Sequence, residues 1–181
     1  VSTPPPVKDE VAWFRRTVDE AKVLSGVEQA DVVIVGGGVM GLTCALALHR
    51  KGRRVAVLEK ELCGAGASGR SSGFITPDSE LSLGILLERE GEDKARRLWE
   101  FACAGVATIR RNVDELGLVC DYEVQDSLFV ANREAAYKAV VNEDRARRTL
   151  GYASRLFTSD TLRTTLDADT LFGGLRYGTR S

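Results

Sequence analysis

Three glycines and one carboxylate carry the chemistry that this chain states most plainly. Gly36, Gly38 and Gly41 stand in G-x-G-x-x-G spacing, and Glu59 follows about 20 residues on. In such a turn the first glycine allows the tight bend and the second lets the main chain approach a diphosphate with no Cβ in the way. The third lets the following helix pack close to the preceding strand. A carboxylate at the end of the next strand can accept hydrogen bonds from both hydroxyls of an adenosine ribose, and it would repel a 2′-phosphate. The chemistry open to these residues is therefore the gripping of a dinucleotide, FAD or NAD rather than NADP.

The elements that must position them are written around them. Residues 31–35 are a short apolar run rich in β-branched side chains, the composition of a parallel strand buried on both faces. A helix opens at the glycine turn through Val39 and Met40, and Ala45 keeps the helix face above Gly41 small. Unpaired amides and the dipole at the start of that helix face the phosphates. Residues 53–58 form the second strand, which delivers Glu59 and Lys60. Strand, turn, helix, strand and acid are in register, which sets this stretch apart from an isolated glycine-rich loop.

A second glycine-rich stretch, residues 63–78, follows at once. A nicotinamide domain would continue here into another crossover helix, which so many small residues do not favour. A loop of Gly, Ala and Ser instead lets amides and hydroxyls lie along a long polyanionic ligand, with Arg70 available as a counter-charge. The alternative, a flexible linker, has no need of Arg70, Phe74 or Ile75.

Together, residues 31–59 and 64–73 resemble the flavin-dependent D-amino-acid oxidase family, in particular its bacterial amine and amino-acid oxidase or dehydrogenase branch. The run from Gly66 to Gly73, Gly-Ala-Ser-Gly-Arg-Ser-Ser-Gly, is similar to the Gly-Ala-Ser-Gly-Arg-Asn-x-Gly of those enzymes, departing from it at Ser71. Weaker likeness covers Trp13, the Leu24-Ser25-Gly26 lead-in and the Gly-Gly-Leu-Arg-Tyr at 173–177. The resemblance implies FAD as the cofactor. The residues it implies for holding it are Gly36, Gly38, Val39, Met40, Gly41, Glu59, Lys60, Gly66, Ala67, Ser68, Arg70, Ser71, Ser72 and Gly73. It also implies oxidation of a carbon–nitrogen bond in a small amine or amino acid, with hydride passing to flavin N5 and the imine product hydrolysed. Transfer to oxygen, or to a quinone or carrier as in a dehydrogenase, both fit the resemblance, as does a noncatalytic dinucleotide-binding subunit. No catalytic residue is named: that route needs geometry and an unprotonated amine more than a dedicated acid or base.

Composition bounds the rest. The 181 residues are 44% hydrophobic and 28% charged, with net charge −1, so nothing selects for nucleic acid or an anionic membrane. No apolar run approaches the ~20 residues of a membrane span. Arg15-Arg16 is followed by Thr17-Val18-Asp19-Glu20, where an export signal needs an apolar core, so a cytoplasmic protein is expected. Cys44, Cys63, Cys103 and Cys120 show no metal-ligand spacing; Cys44 and Cys103 read as buried free thiols.

The fold class expected is α/β: a Rossmann-type βαβ FAD-binding domain joined to the start of an antiparallel α+β substrate domain, incomplete in this chain. Residues 1–30 read as a proline-led extension with an amphipathic helix at 8–24, and residues 31–117 as the FAD-binding part. Residues 118–181 read as the start of the substrate domain. Within these, 83–116 is helical with a break near Gly91, and 119–123 and 127–131 are strands around Gln125-Asp126. Residues 133–150 are helical, with Arg145, Arg147 and Arg148 on a solvated face, and 160–166 is a short helix capped by Thr158 or Ser159. Either the chain is a fragment, or a second chain, made for example by cleavage of one precursor, supplies the C-terminal half; the second chain is the reading favoured, because a partial parallel sheet exposes apolar faces and open edges.

Overall fold

The computed structural model describes residues 11, 23–78, 81–166 and 170–178. The expected helix at 8–24 lies outside these residues except at Val11, Val23 and Leu24, none of which is helical. The chain forms two compact units that divide between Phe74 and Ile75.

The first unit is a βαβ element. β1 (Val32–Val35) and β2 (Val55–Leu58) pair in parallel, with Val32 opposite Val55 and Val35 opposite Leu58. α1 (Val39–His49) makes the crossover. Asp31 fixes the start of the pair by accepting the Arg54 N–H at 2.8 Å and a guanidinium N–H at 3.2 Å. These bonds, the main-chain one first, hold its carboxyl below the ordinary range. No residue of α1 is buried, so Cys44 is an exposed thiol rather than the buried one expected. A short helix, α2 (Ala67–Arg70), closes the unit.

The second unit sets helices against a three-stranded antiparallel sheet. α3 (Leu83–Glu90) and α4 (Glu92–Leu116) meet at Gly91, as the break in the apolar pattern predicts. β3 (Ser127–Ala131), α5 (Glu134–Thr149), β4 (Arg155–Thr158), α6 (Ser159–Leu166) and β5 (Gly173–Tyr177) follow, with sheet order β3-β5-β4. Thr158 caps α6 by accepting the Thr161 N–H at 3.4 Å. Leu83, Leu86, Ala95, Trp99, Val140, Leu175 and Tyr177 form the core between α3, α4, α5 and β5. α3 and α4 pack in this second unit. No helix among the described residues is long and apolar enough to cross a membrane.

Three further expectations are corrected. Residues 119–123 form no strand: the Tyr122 N–H folds back onto the Cys120 carbonyl at 2.8 Å, and β3 takes β5 as its partner instead. β4 and β5 are strands that periodicity did not mark. β5 opens on Gly173 and Gly174 because it is the central strand. A Cβ on Gly173 would lie 2.1 Å from the Tyr137 ring, and one on Gly174 would lie 2.7 Å from the Phe129 carbonyl oxygen. Lastly, Arg147 is not solvated. It is 1% exposed, while Arg145 and Arg148 face water. Position 147 continues the inward stripe Ala136, Val140, Glu143, and Leu150 follows it, so helical spacing carries the charge into the core.

Candidate cofactor site

The glycine elbow sits between β1 and α1. The Gly36 N–H donates to the Leu58 carbonyl at 2.7 Å, tying the turn to the end of β2. Gly41 is held to hydrogen alone, because a Cβ there would lie 2.0 Å from the Gly36 carbonyl oxygen and 3.3 Å from Ile34. Gly38, at the N-cap of α1, offers no side-chain cap. Val39 and Met40, at the start of the helix, are exposed by 55% and 82%, which leaves this end of the helix open to a ligand.

Glu59 reaches back to the elbow from the end of β2. Its carboxylate accepts the Gly37 N–H at 2.7 Å and the Glu61 N–H at 3.1 Å. These bonds, Gly37 first, hold its pKa below the ordinary Glu value. A carboxylate has about four lone-pair sites, so acceptor capacity remains for two ribose hydroxyls. Lys60 is exposed and lies 3.7 Å from the Glu61 carboxylate.

The second glycine-rich stretch folds onto the first. The Gly64 N–H donates to the Gly37 carbonyl at 2.9 Å, and the Val39 N–H donates to the Ser68 hydroxyl at 2.9 Å. Ser68 Oγ also lies 3.2 Å from where a Cβ of Gly38 would be. Gly66 is the N-cap of α2, and nothing lies within 4 Å of its missing Cβ. Ala67, Ser68 and Arg70 belong to α2 itself. Beyond it, Ser71 accepts the Gly73 N–H at 3.3 Å, and Ser71, Ser72 and Gly73 are exposed. The structure thus brings Gly36, Gly38, Val39, Gly41, Glu59 and Ser68 together, while residues 71–73 run on along the surface of the unit.

Sequence reasoning missed Gly37 and assigned Cys63 no role. Gly37 is buried, and it carries both the donor to Glu59 and the acceptor from Gly64. A Cβ on it would meet Cys63 Sγ at 2.7 Å. The available signal was the unbroken triplet Gly36-Gly37-Gly38, of which the motif requires only the outer two. Among the described residues no group of His, Cys, Asp and Glu could hold a metal ion.

The donor set fits a dinucleotide. An ionised acceptor stands at the strand end, a helix N-terminus is stripped of side chains at Gly38 and Gly41, and a hydroxyl-bearing loop is bonded to that N-terminus. This fold and site define a Rossmann-type dinucleotide-binding protein. Residues 31–180 match the DAO model of FAD dependent oxidoreductases, and the chain belongs to that family, whose cofactor is FAD. It is 31% identical over 153 residues to "Probable oxidoreductase OrdL" of Haemophilus influenzae, covering 84% of this chain and 36% of that protein. It is 38% identical over 101 residues to "Gamma-glutamylputrescine oxidoreductase" of Escherichia coli, covering 56% and 24%. Among solved structures, glycine oxidase from Geobacillus kaustophilus shares the fold with a TM-score of 0.67 at 23% identity, over 83% of this chain and 39% of that one. The chain therefore spans less than two fifths of the length of each of these relatives.

Proposed function

We propose that the full-length protein oxidises a carbon–nitrogen bond in an amine or amino acid. The observation that carries this reading is the likeness to the gamma-glutamylputrescine oxidoreductase of Escherichia coli, within a family of FAD-dependent oxidoreductases. FAD, when bound, supplies the hydride acceptor. The chain's own residues bind and orient it. Main-chain amides at Gly38, Val39, Met40 and Gly41 meet the diphosphate, aided by the helix dipole, while Gly36, whose own N–H is bonded to the Leu58 carbonyl, makes the turn that brings them there. Glu59 accepts the ribose hydroxyls, with Lys60 beside it at the strand end. Gly66, Ala67, Ser68, Arg70, Ser71, Ser72 and Gly73 follow the diphosphate and ribityl chain toward the ring.

Ser68 has a particular place in this reading. Its hydroxyl occupies the first amide of α1, where a phosphate oxygen would be bound, so it either shares that donor or passes it to the ligand. A hydroxyl both donates and accepts, and it can turn its own proton toward the phosphate while Val39 remains capped.

The test is reduction of the flavin in the full-length holoprotein by a panel of amines and amino acids without oxygen, with alcohols as the comparison. Bleaching by an amine or amino acid with ammonia release supports the reading. Bleaching by alcohols alone, or by nothing in the panel, overturns it in favour of C–O oxidation or a noncatalytic flavoprotein. Recovery in air with peroxide marks an oxidase. Recovery only with a quinone or carrier marks a dehydrogenase.

A further inference from the structure

The second unit holds a cavity of about 510 Å³, lined chiefly by α5, β3 and β5 and lying wholly within that unit. The space exists because α5 turns three small side chains toward it, Ala135, Ala136 and Ala139. Across from them Phe129 and Val130 are 52% and 45% exposed, and the Phe129 ring stacks on that of Tyr177 with centroids 5.9 Å apart. The volume falls among those of small-molecule sites, about 300–1,000 Å³.

The cavity has charge at both ends. Arg133 and Glu143 both line it and stand ten residues apart on the axis of α5, a span of about 15 Å. At the Glu143 end Asp78 joins the wall, and these two carboxylates share one cation. Arg147 lies 2.9 Å from Glu143 and 3.8 Å from Asp78 and is itself 1% exposed, so this pole keeps one negative charge in excess. The Tyr177 hydroxyl donates to Asp78 at 2.6 Å and adds no charge. At the other end Arg133 is exposed, and among the described residues its guanidinium makes no ion pair. Opposite, unmatched charges therefore stand at the two ends of an apolar channel.

We propose that this channel is a binding site for a linear ω-amino acid, with the ammonium at Asp78 and Glu143 and the carboxylate at Arg133. The methylene chain lies over Phe129, Val140 and Leu175. Burial of those methylenes supplies affinity, and the two charges set length and direction. A dicarboxylate would set an anion against the acidic pole, and a diamine would set a cation against Arg133. The site draws on no residue of the βαβ unit, so it is complete without FAD and is separate from the proposed oxidation.

The experiment is calorimetric titration of the full-length, FAD-loaded protein, without oxygen, with 8-aminooctanoate, octanoate and octylamine. The zwitterion is expected to bind one per chain and more tightly than either one-ended compound. Arg133→Gln, at an exposed position, should weaken it by about fivefold, the scale of an exposed ion pair, and leave octylamine unchanged. Ala139→Leu places a good helix former at an exposed position of α5, fills the channel and should abolish binding of all three. Thermal midpoints confirm that both variants fold. Binding that survives both substitutions belongs elsewhere, as beside the flavin, and overturns the proposal. So does the absence of saturable binding, the result if another segment of the full-length protein fills the channel. Flavin reduction is read separately by absorbance, so failure here leaves the proposed amine oxidation standing.

Discussion

The Ser68 hydroxyl accepts the Val39 N–H at 2.9 Å across 29 residues of sequence, so one glycine-rich segment caps the helix that the other opens. Gly38 has no side chain with which to cap α1, and the partner comes from α2 instead. Ser68→Ala leaves that amide to water. The expected loss is about 1 kcal/mol, as for removal of an N-cap, read from urea unfolding of the apoprotein, together with weaker FAD binding by fluorescence titration. Unchanged stability would show that the cap is not a working contact.

The glycines of the two segments should respond oppositely to a methyl group. Gly41→Ala forces a Cβ to within 2.0 Å of the Gly36 carbonyl oxygen, two main-chain positions that cannot yield separately. Its expected cost is about 3 kcal/mol, with FAD lost. Gly66→Ala meets nothing within 4 Å and has an ordinary φ of −80°. Its apoprotein should melt as wild type does, and any fall in FAD content then reports space that the ligand needs. Equal destabilisation by the two substitutions would contradict the close approach of strand and helix at Gly41.

The βαβ unit was legible because local rules and tertiary demands agree there. β-branched runs, motif glycines and a terminal acid each have one reading, and the 83–116 helices with their break at Gly91 followed from period alone. The antiparallel unit was harder, for stated reasons. β5 begins Gly-Gly, a pair that reads as a turn until Tyr137 and the Phe129 carbonyl are known to press on it. Arg147 reads as surface by residue type, and only the stripe through Ala136, Val140, Glu143 and Leu150 places it inside. Trp99 and Tyr177, which stack on it, come from elements 48 and 30 residues away in sequence, a convergence that no local pattern encodes. Within the cradle, the motif gave Gly36, Gly38, Gly41 and Glu59. The internal role of Gly37 was hidden because its contacts are main-chain ones to Glu59 and Gly64.

Glu59 should hold the ribose with an ionised carboxylate well into acid. Its pKa is lowered, chiefly by the Gly37 N–H and next by that of Glu61. A lowered carboxylate favours the charged form in the folded state. Its contribution is therefore present above the ordinary Glu value of about 4.3 and fades only as pH falls through the lower folded value. FAD affinity should then be flat from neutral pH to about pH 5 in the wild type. Glu59→Gln should weaken it at every pH by roughly tenfold or more, the scale of a lost hydrogen bond to charge. A midpoint in affinity near pH 6 that Glu59→Gln abolishes would refute this assignment.

Tyr177 carries the opposite sign at the alkaline end. Burial, and then its hydroxyl bond to Asp78 at 2.6 Å, push the phenol's pKa well above its ordinary value, so the folded state keeps the proton. A raised pKa contributes stability that is complete below the unfolded value of about 10 and is lost as pH rises from there toward the folded one. The wild-type apoprotein should therefore exceed Tyr177→Phe in stability by roughly 1.5–3 kcal/mol at neutral pH, the scale of a hydrogen bond to a carboxylate. The difference should shrink as the pH is raised above about 10, because unfolding then releases a proton that Tyr177→Phe does not have. Thermal midpoints of both proteins measured at the same series of pH values give the comparison directly. A gap that stays constant through the alkaline range would mean that the hydroxyl is not held in its neutral form by Asp78 and the surrounding core.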